Sequence, residues 1–139
     1  MKKHGEYFSS IRDEICSIEN LEFHERVDRR ELMNTLSKSR CNIITSKYKG
    51  GWPSTFYEAS ARLVPTISLH FDSDNLFTDH EIGIFCNSNF DFMNQKFKSI
   101  IDDDKQLDKY GFAAYKYLYD NHSISDKVAA LSGILIECK

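Results

Sequence analysis

The apolar positions along the chain alternate between two periods. Tyr7, Phe8, Ile11, Ile15 and Ile18 recur at helical spacing and predict an amphipathic helix over residues 6–18. Asn20-Leu21-Glu22-Phe23 then predicts a short strand. Asp28, with Glu31 three residues on, is a capping-box arrangement that satisfies two otherwise free N–H groups. It opens a helix through about Ser39, with Leu32, Met33 and Leu36 as the buried stripe. Asn42-Ile43-Ile44-Thr45 is a β-branched run bounded by the polar loop 46–52, and reads as a buried strand. Pro53 suits the first turn of a helix, because its missing N–H would be unpaired there, and Phe56, Ala59, Ser60 and Leu63 continue at helical spacing.

The alternation then repeats. Val64-Pro65-Thr66-Ile67-Ser68-Leu69 predicts a strand with Pro65 at its beginning, where a lost donor costs least. A loop with a short helical turn covers Asp72 to His80, and Ile82 to Cys86 gives a further strand. Helices are expected over Phe90 to about Asp103, Lys105 to about Asp120 and Ser125 to about Glu137. Strands that alternate with helices demand parallel crossovers. The expected fold class is therefore α/β, a Rossmann-like open parallel sheet with helices on both faces, formed by residues 1–139 as one domain. In such sheets ligands bind beyond the carboxyl ends of the strands.

Composition narrows the function classes. The 18 Lys and Arg against 21 Asp and Glu give a net charge of −3, which leaves no excess of positive charge for a nucleic-acid backbone. With 41% hydrophobic and 13% aromatic residues and only 6 Gly and 2 Pro, the 139-residue chain can build a core. Cys16, Cys41, Cys86 and Cys138 lie far apart without a C-x-x-C pair, and read as reduced thiols of a cytoplasmic protein. The histidines, at 4, 24, 70, 80 and 122, show no metal-ligand spacing, so no metal is expected. No run approaches the ~18 apolar residues of a membrane span, which leaves only peripheral membrane attachment open.

The loop after the Ile43-Ile44 strand carries the candidate chemistry. Gly50 and Gly51 allow close backbone approach, and a helix beginning near Pro53 turns the N–H groups of Ser54, Thr55 and Phe56 toward a guest, for which phosphate is the natural choice. Glu58, one turn inside, can accept hydrogen bonds from ligand hydroxyls. The plainer reading of the same residues is a tight turn, a capped helix and a surface Glu, and on spacing alone it is the better one. Lys47 and Lys49 flank the loop as phosphate cations or, more simply, as solvated charges. Asp72 and Asp74 read as turn and N-cap chemistry in preference to an acid–base pair. His24 reads as a cap on a strand end, and Tyr110, Tyr115, Tyr117 and Tyr119 as packing residues of the terminal helices.

The stretch Gly50-Gly51-Trp52-Pro53-Ser54-Thr55-Phe56-Tyr57-Glu58-Ala59, followed by Ala61 and Val64-Pro65-Thr66-Ile67-Ser68, resembles the signature of retaining glycosyltransferase family 4 of the GT-B fold. That pattern is roughly E-G-(aromatic)-P-x-x-x-x-E-A, then small residues, a Pro and a short strand. Asn20 to Phe23 with Val27 and Glu31-Leu32, Cys41 to Ser46, Ile82-Gly83-Ile84, Asp102-Asp103, Tyr110-Gly111 and His122-Ser123 resemble the flanking segments. The likeness covers about residues 5–139. It implies part of a GT-B C-terminal domain that binds a UDP- or GDP-linked hexose without a cofactor. The helix N-terminus at Ser54 and Thr55 would face the diphosphate and Glu58 would hold the ribose. Trp52, Pro53 and the backbone of Gly51 would lie near the sugar and phosphates.

The chain departs from the family in two ways. Gly50 stands where the family carries the Glu that contacts the donor sugar, and the G-R-x-x-x-x-K-G strand and the N-terminal acceptor domain are missing. The resemblance therefore implies the donor-side portion of an enzyme that transfers hexose with retention, completed by an acceptor domain or partner chain. Alone it is expected to be inactive, because a cleft enzyme needs both walls to hold the acceptor and exclude water. No catalytic residue is assigned. The competing expectation is a degenerate, non-catalytic α/β module used for protein association, including self-association through an exposed sheet edge.

Overall fold

Three of the β-branched and apolar runs form strands, each shorter than its run. In the computed structural model, which describes residues 11–12, 14–24, 26–47 and 52–137, β1 is Asn42–Ile44, β2 is Thr66–Ser68 and β3 is Gly83–Phe85. They pair in parallel in the order β1-β2-β3, with Asn42 opposite Thr66 and Thr66 opposite Gly83. The helices are α1 (Arg29–Lys38), α2 (Ser54–Ser60), α3 (Leu76–His80), α4 (Phe90–Ile100), α5 (Asp104–Asn121) and α6 (Ile124–Glu137), with a 3₁₀ turn at Ser73–Asn75. This is the expected α/β class, a parallel sheet flanked by helices.

Side chains alternate across a strand, and the register sorts them into two layers. Ile67 and Ile84 share one face, covered by Met93 and Ile100 of α4 and Leu107 of α5. Ile44 lies on the other face with Phe56 of α2, Leu76 and Phe77 of α3 and Ala114 of α5. Phe56, Ile67 and Ile82 are fully buried, and each such side chain contributes about 1.5–3 kcal/mol. Ile43 stands in register with Ile67 yet is 43% exposed, so the covering layer stops short of the edge strand β1. At Gly111 of α5 an added Cβ would overlap the Leu63 carbonyl oxygen, which marks the point where helix and loop backbones meet.

The chain divides into two compact units, Met1–Leu32 and Met33–Lys139. In the first, residues 11–12 and 14–16 are helical, and residues 6–10 of the expected helix lie outside the described residues. Asp28 Oδ1 accepts from the Glu31 N–H at 2.9 Å, the cap that the sequence predicts. Asn20–Phe23 does not form the expected strand. The amides of Ser17, Ile18 and Leu21 each donate to a carbonyl three residues back, so the segment closes its hydrogen bonds within turns, and Ile18 and Leu21 stay exposed. His24 accordingly has no strand end to cap; its Nε2 lies 3.4 Å from Glu22 Oε2 on the surface.

In the second unit the expected helical stripe ends early. Leu63 lies beyond α2 in a turn, with φ of 61° and half its surface exposed. Asp103 caps α5 by accepting from the Gln106 N–H at 3.1 Å. Tyr110 and Tyr117 pack against the two layers. Tyr115 and Tyr119 do not pack as expected: they are exposed and stack on each other with ring centroids 6.4 Å apart. Among the described residues no helix is long and apolar enough to cross a membrane.

Candidate functional site

All three strands run the same way, so the loops that follow them gather along one edge of the sheet. There a cavity of about 390 Å³ is lined by Lys47 from the loop after β1, His70 and Phe71 from the loop after β2, and Ser88 from the loop after β3. The rim is held by its own hydrogen bonds. Ser68 Oγ donates to the Phe71 carbonyl at 2.6 Å, the Ser88 N–H donates to the Leu69 carbonyl at 2.6 Å, and His70 Nδ1 lies 2.9 Å from Ser88 Oγ. Asn87 and Ser88 both take positive φ, 45° and 63°, a conformation that L residues adopt at a cost and that turns the chain sharply off β3.

The helix α2 leads away from the same edge. Pro53 occupies its N-cap position with φ −59° and ψ 139°, one residue ahead of the helix. Of the three amides expected to face a guest, that of Phe56 already donates to the Pro53 carbonyl at 3.0 Å. Ser54 is exposed and Thr55 half-buried, and their amides precede the first intrahelical acceptors. Gly50 and Gly51 lie outside the described residues, as does Lys49.

Two buried polar atoms in this region have no hydrogen-bond partner among the described residues, Trp52 Nε1 and Glu58 Oε2. The Trp52 ring is wedged among Phe56, Phe71 and Phe77 with centroid separations of 4.3, 5.1 and 5.1 Å, so its ring belongs to the apolar layer. Glu58 is half-buried, and its backbone carbonyl accepts from Arg62 Nη1 at 3.1 Å. A buried carboxylate oxygen left without a donor costs about 1–3 kcal/mol, so the Glu58 oxygen is a position where a hydroxyl or amide donor would be stabilising.

Asp72 resolves as turn chemistry. Its Oδ1 accepts from the Phe77 N–H at 2.9 Å and its Oδ2 from Thr78 Oγ1 at 2.8 Å, so the side chain is engaged by the first turn of α3, whose N-cap position is held by Asn75. Asp74 takes φ of 57° within the 3₁₀ turn. Tyr57, on α2, has its hydroxyl pushed above its ordinary pKa, first by burial and then by the neighbouring Tyr117 and Asp74. Burial also raises the Cys41 and Cys86 thiols, Cys86 against a smaller opposing effect of Lys96. No cluster of His, Cys, Asp or Glu among the described residues is arranged to hold a metal ion.

His70 and Ser88 escaped the sequence reading. They are 18 residues apart on separate loops and share no motif. The signal was their position, since each follows the end of a strand at the edge where ligands of parallel sheets bind.

The chain matches no family model, no curated protein and no solved structure.

Proposed function

We propose that this chain is the donor-side portion of a retaining glycosyltransferase, binding a UDP- or GDP-linked hexose in the cytoplasm and acting only with an acceptor domain or partner chain. The observation that carries the reading is Glu58 Oε2. A carboxylate oxygen buried without a donor among the described residues sits on the residue to which the resemblance assigns the ribose, and ribose hydroxyls are the donors it lacks. The uncommitted amides of Ser54 and Thr55 at the start of α2 support a diphosphate beside it. Trp52 and Pro53 would border that ligand. Gly50, standing where the family carries a Glu, leaves the hexose itself weakly held.

Calorimetric titration of the folded chain with UDP, GDP and their hexose conjugates tests this. One nucleotide should bind, and Glu58→Gln, which keeps the shape but removes the charged acceptor, should weaken it at least tenfold, a loss of about 1.4 kcal/mol. Absence of binding to the folded wild type overturns the reading. A coupled assay with the same donors should show no transfer by the chain alone.

One observation favours a second reading, association through the sheet. Among the described residues no strand pairs with the outer side of β1, and Ile43 is half uncovered, the condition in which edges recruit further strands. Sedimentation velocity separates the readings, because an association module sediments as more than a monomer without any nucleotide.

A further inference from the structure

The cavity at the carboxyl edge of the sheet contains a combination of groups that the ribose and helix contacts do not use. Lys47 brings a full positive charge, and it forms no ion pair among the described residues. His70 engages Ser88 Oγ through Nδ1, which leaves Nε2 as the ring's second hydrogen-bonding atom. The two side chains share one hydrogen bond, so with a neutral ring the pair offers an anion one donor: the Nε2–H when the Ser88 hydroxyl donates to Nδ1, or the Ser88 hydroxyl when the Nδ1–H donates to Ser88 Oγ. Among the described residues no carboxylate lines the cavity, and Phe71 gives it one apolar wall.

We propose that Lys47, His70 and Ser88 form a phosphoryl-binding site, the three loops after β1, β2 and β3 each presenting one polar group to the same cavity. The Lys47 ammonium and the His70–Ser88 pair approach from separate loops with hydrogen-bond donors, which suits an oxyanion, a ligand group that only accepts. The volume agrees. At about 390 Å³ the cavity lies within the range of ligand pockets, roughly 300–1,000 Å³, and has ample room for a phosphoryl group. The hydrogen bonds that pin Phe71 and Ser88 hold the rim in place before a ligand arrives, which reduces the ordering cost of binding. The inference rests on the nucleotide-sugar reading only for the identity of the natural ligand: in that reading Lys47 and His70 supply partners to the donor's diphosphate.

The test is calorimetry and amide chemical-shift mapping of the full chain with inorganic pyrophosphate and, separately, with UDP. Wild type, Lys47→Met, His70→Ala and Glu58→Gln are compared, each checked for fold by circular dichroism. Pyrophosphate should bind with shifts at the Phe71 and Ser88 amides, and Lys47→Met and His70→Ala should each weaken it at least fivefold. Binding should also fall steadily with added salt. No pyrophosphate binding, or binding indifferent to both Lys47→Met and His70→Ala, overturns the proposal. UDP binding lost in Glu58→Gln but untouched by Lys47→Met and His70→Ala sinks this site and keeps the nucleotide reading. Pyrophosphate binding that depends on Lys47 and His70, with no nucleotide bound, does the reverse.

Discussion

At the amino ends of the strands a recess of about 430 Å³ is bordered by Arg40, Arg62, Pro65 and Asp104, while at the carboxyl ends the cavity beside Lys47 and His70 measures about 390 Å³. The larger recess has its cations already engaged. Arg40 pairs with Asp104 at 2.7 Å and donates to the Ile101 carbonyl at 2.7 Å, and Arg62 donates to the carbonyls of Met33 and Glu58 at 3.2 and 3.1 Å. Beside it Leu63 is held at positive φ against Gly111, so backbone strain there accompanies close packing. At the carboxyl end Lys47 forms no ion pair among the described residues, and the strained residues Asn87 and Ser88 hold a hydroxyl at a cavity rim. Cavity size therefore separates the two ends poorly, and the satisfaction of their polar groups separates them well.

The contrast can be broken most forcefully at Gly111. Gly111→Ala places a methyl group on the Leu63 carbonyl, which neither a helix nor a tight turn can easily move aside, and should cost about 3 kcal/mol in urea unfolding. An unchanged midpoint would show that the amino end is slack and that its engaged cations mean little. Next in size is a paired comparison. Arg40→Ala should lose about 1 kcal/mol, because it breaks a partly exposed ion pair and a bond to a carbonyl, and the loss should shrink in salt. Lys47→Met should change stability by less than about 0.5 kcal/mol, since no contact of its charge is lost. Equal losses from the two would erase the distinction between them.

The smallest effect concerns Tyr57. Its hydroxyl is held neutral by burial, with Tyr117 and Asp74 adding to the shift, so its folded pKa lies above the unfolded value of about 10. That contribution to stability is complete below about pH 10 and is lost as the pH rises through the folded value, because the unfolded chain gives up its proton first. Tyr57→Phe should therefore flatten the alkaline fall in stability above about pH 10 and leave the neutral range unaltered. A fall of unchanged steepness would assign the alkaline sensitivity elsewhere.

Much of the fold was legible because local signals and tertiary demands agree. The run around Ile43 and Ile44, the strand opened by Pro65 and the Asp28–Glu31 cap each form the element their chemistry favours. Leu63 was illegible for a tertiary reason. Its spacing continues the α2 stripe, but the close approach of α5 at Gly111 sits where the chain turns. Asn20–Phe23 misled because alternation alone does not make a strand; a ladder partner is required, and turns took the hydrogen bonds instead. Of the candidate site, Glu58 was visible through its place in a motif. Lys47 was visible as a phosphate cation or, more simply, a solvated charge, and the pairing of His70 with Ser88 not at all, because strand order brings them together and no spacing along the chain records it.

The order β1-β2-β3 also bears on how the chain acquires its shape as it leaves the ribosome. Each strand pairs with its predecessor in sequence, so the first ladder closes once Thr66 to Ser68 can reach Asn42 to Ile44, and the second adds to it when Gly83 to Phe85 arrive. Among the described residues no strand has to wait for a distant partner or insert between two already paired, which keeps each loop-closure cost low. The helices that cover Ile67 and Ile84 come later in the chain, α4 and then α5. During synthesis that face of the nascent sheet stays bare until Met93, Ile100 and Leu107 have been delivered, which makes it the surface a chaperone would meet.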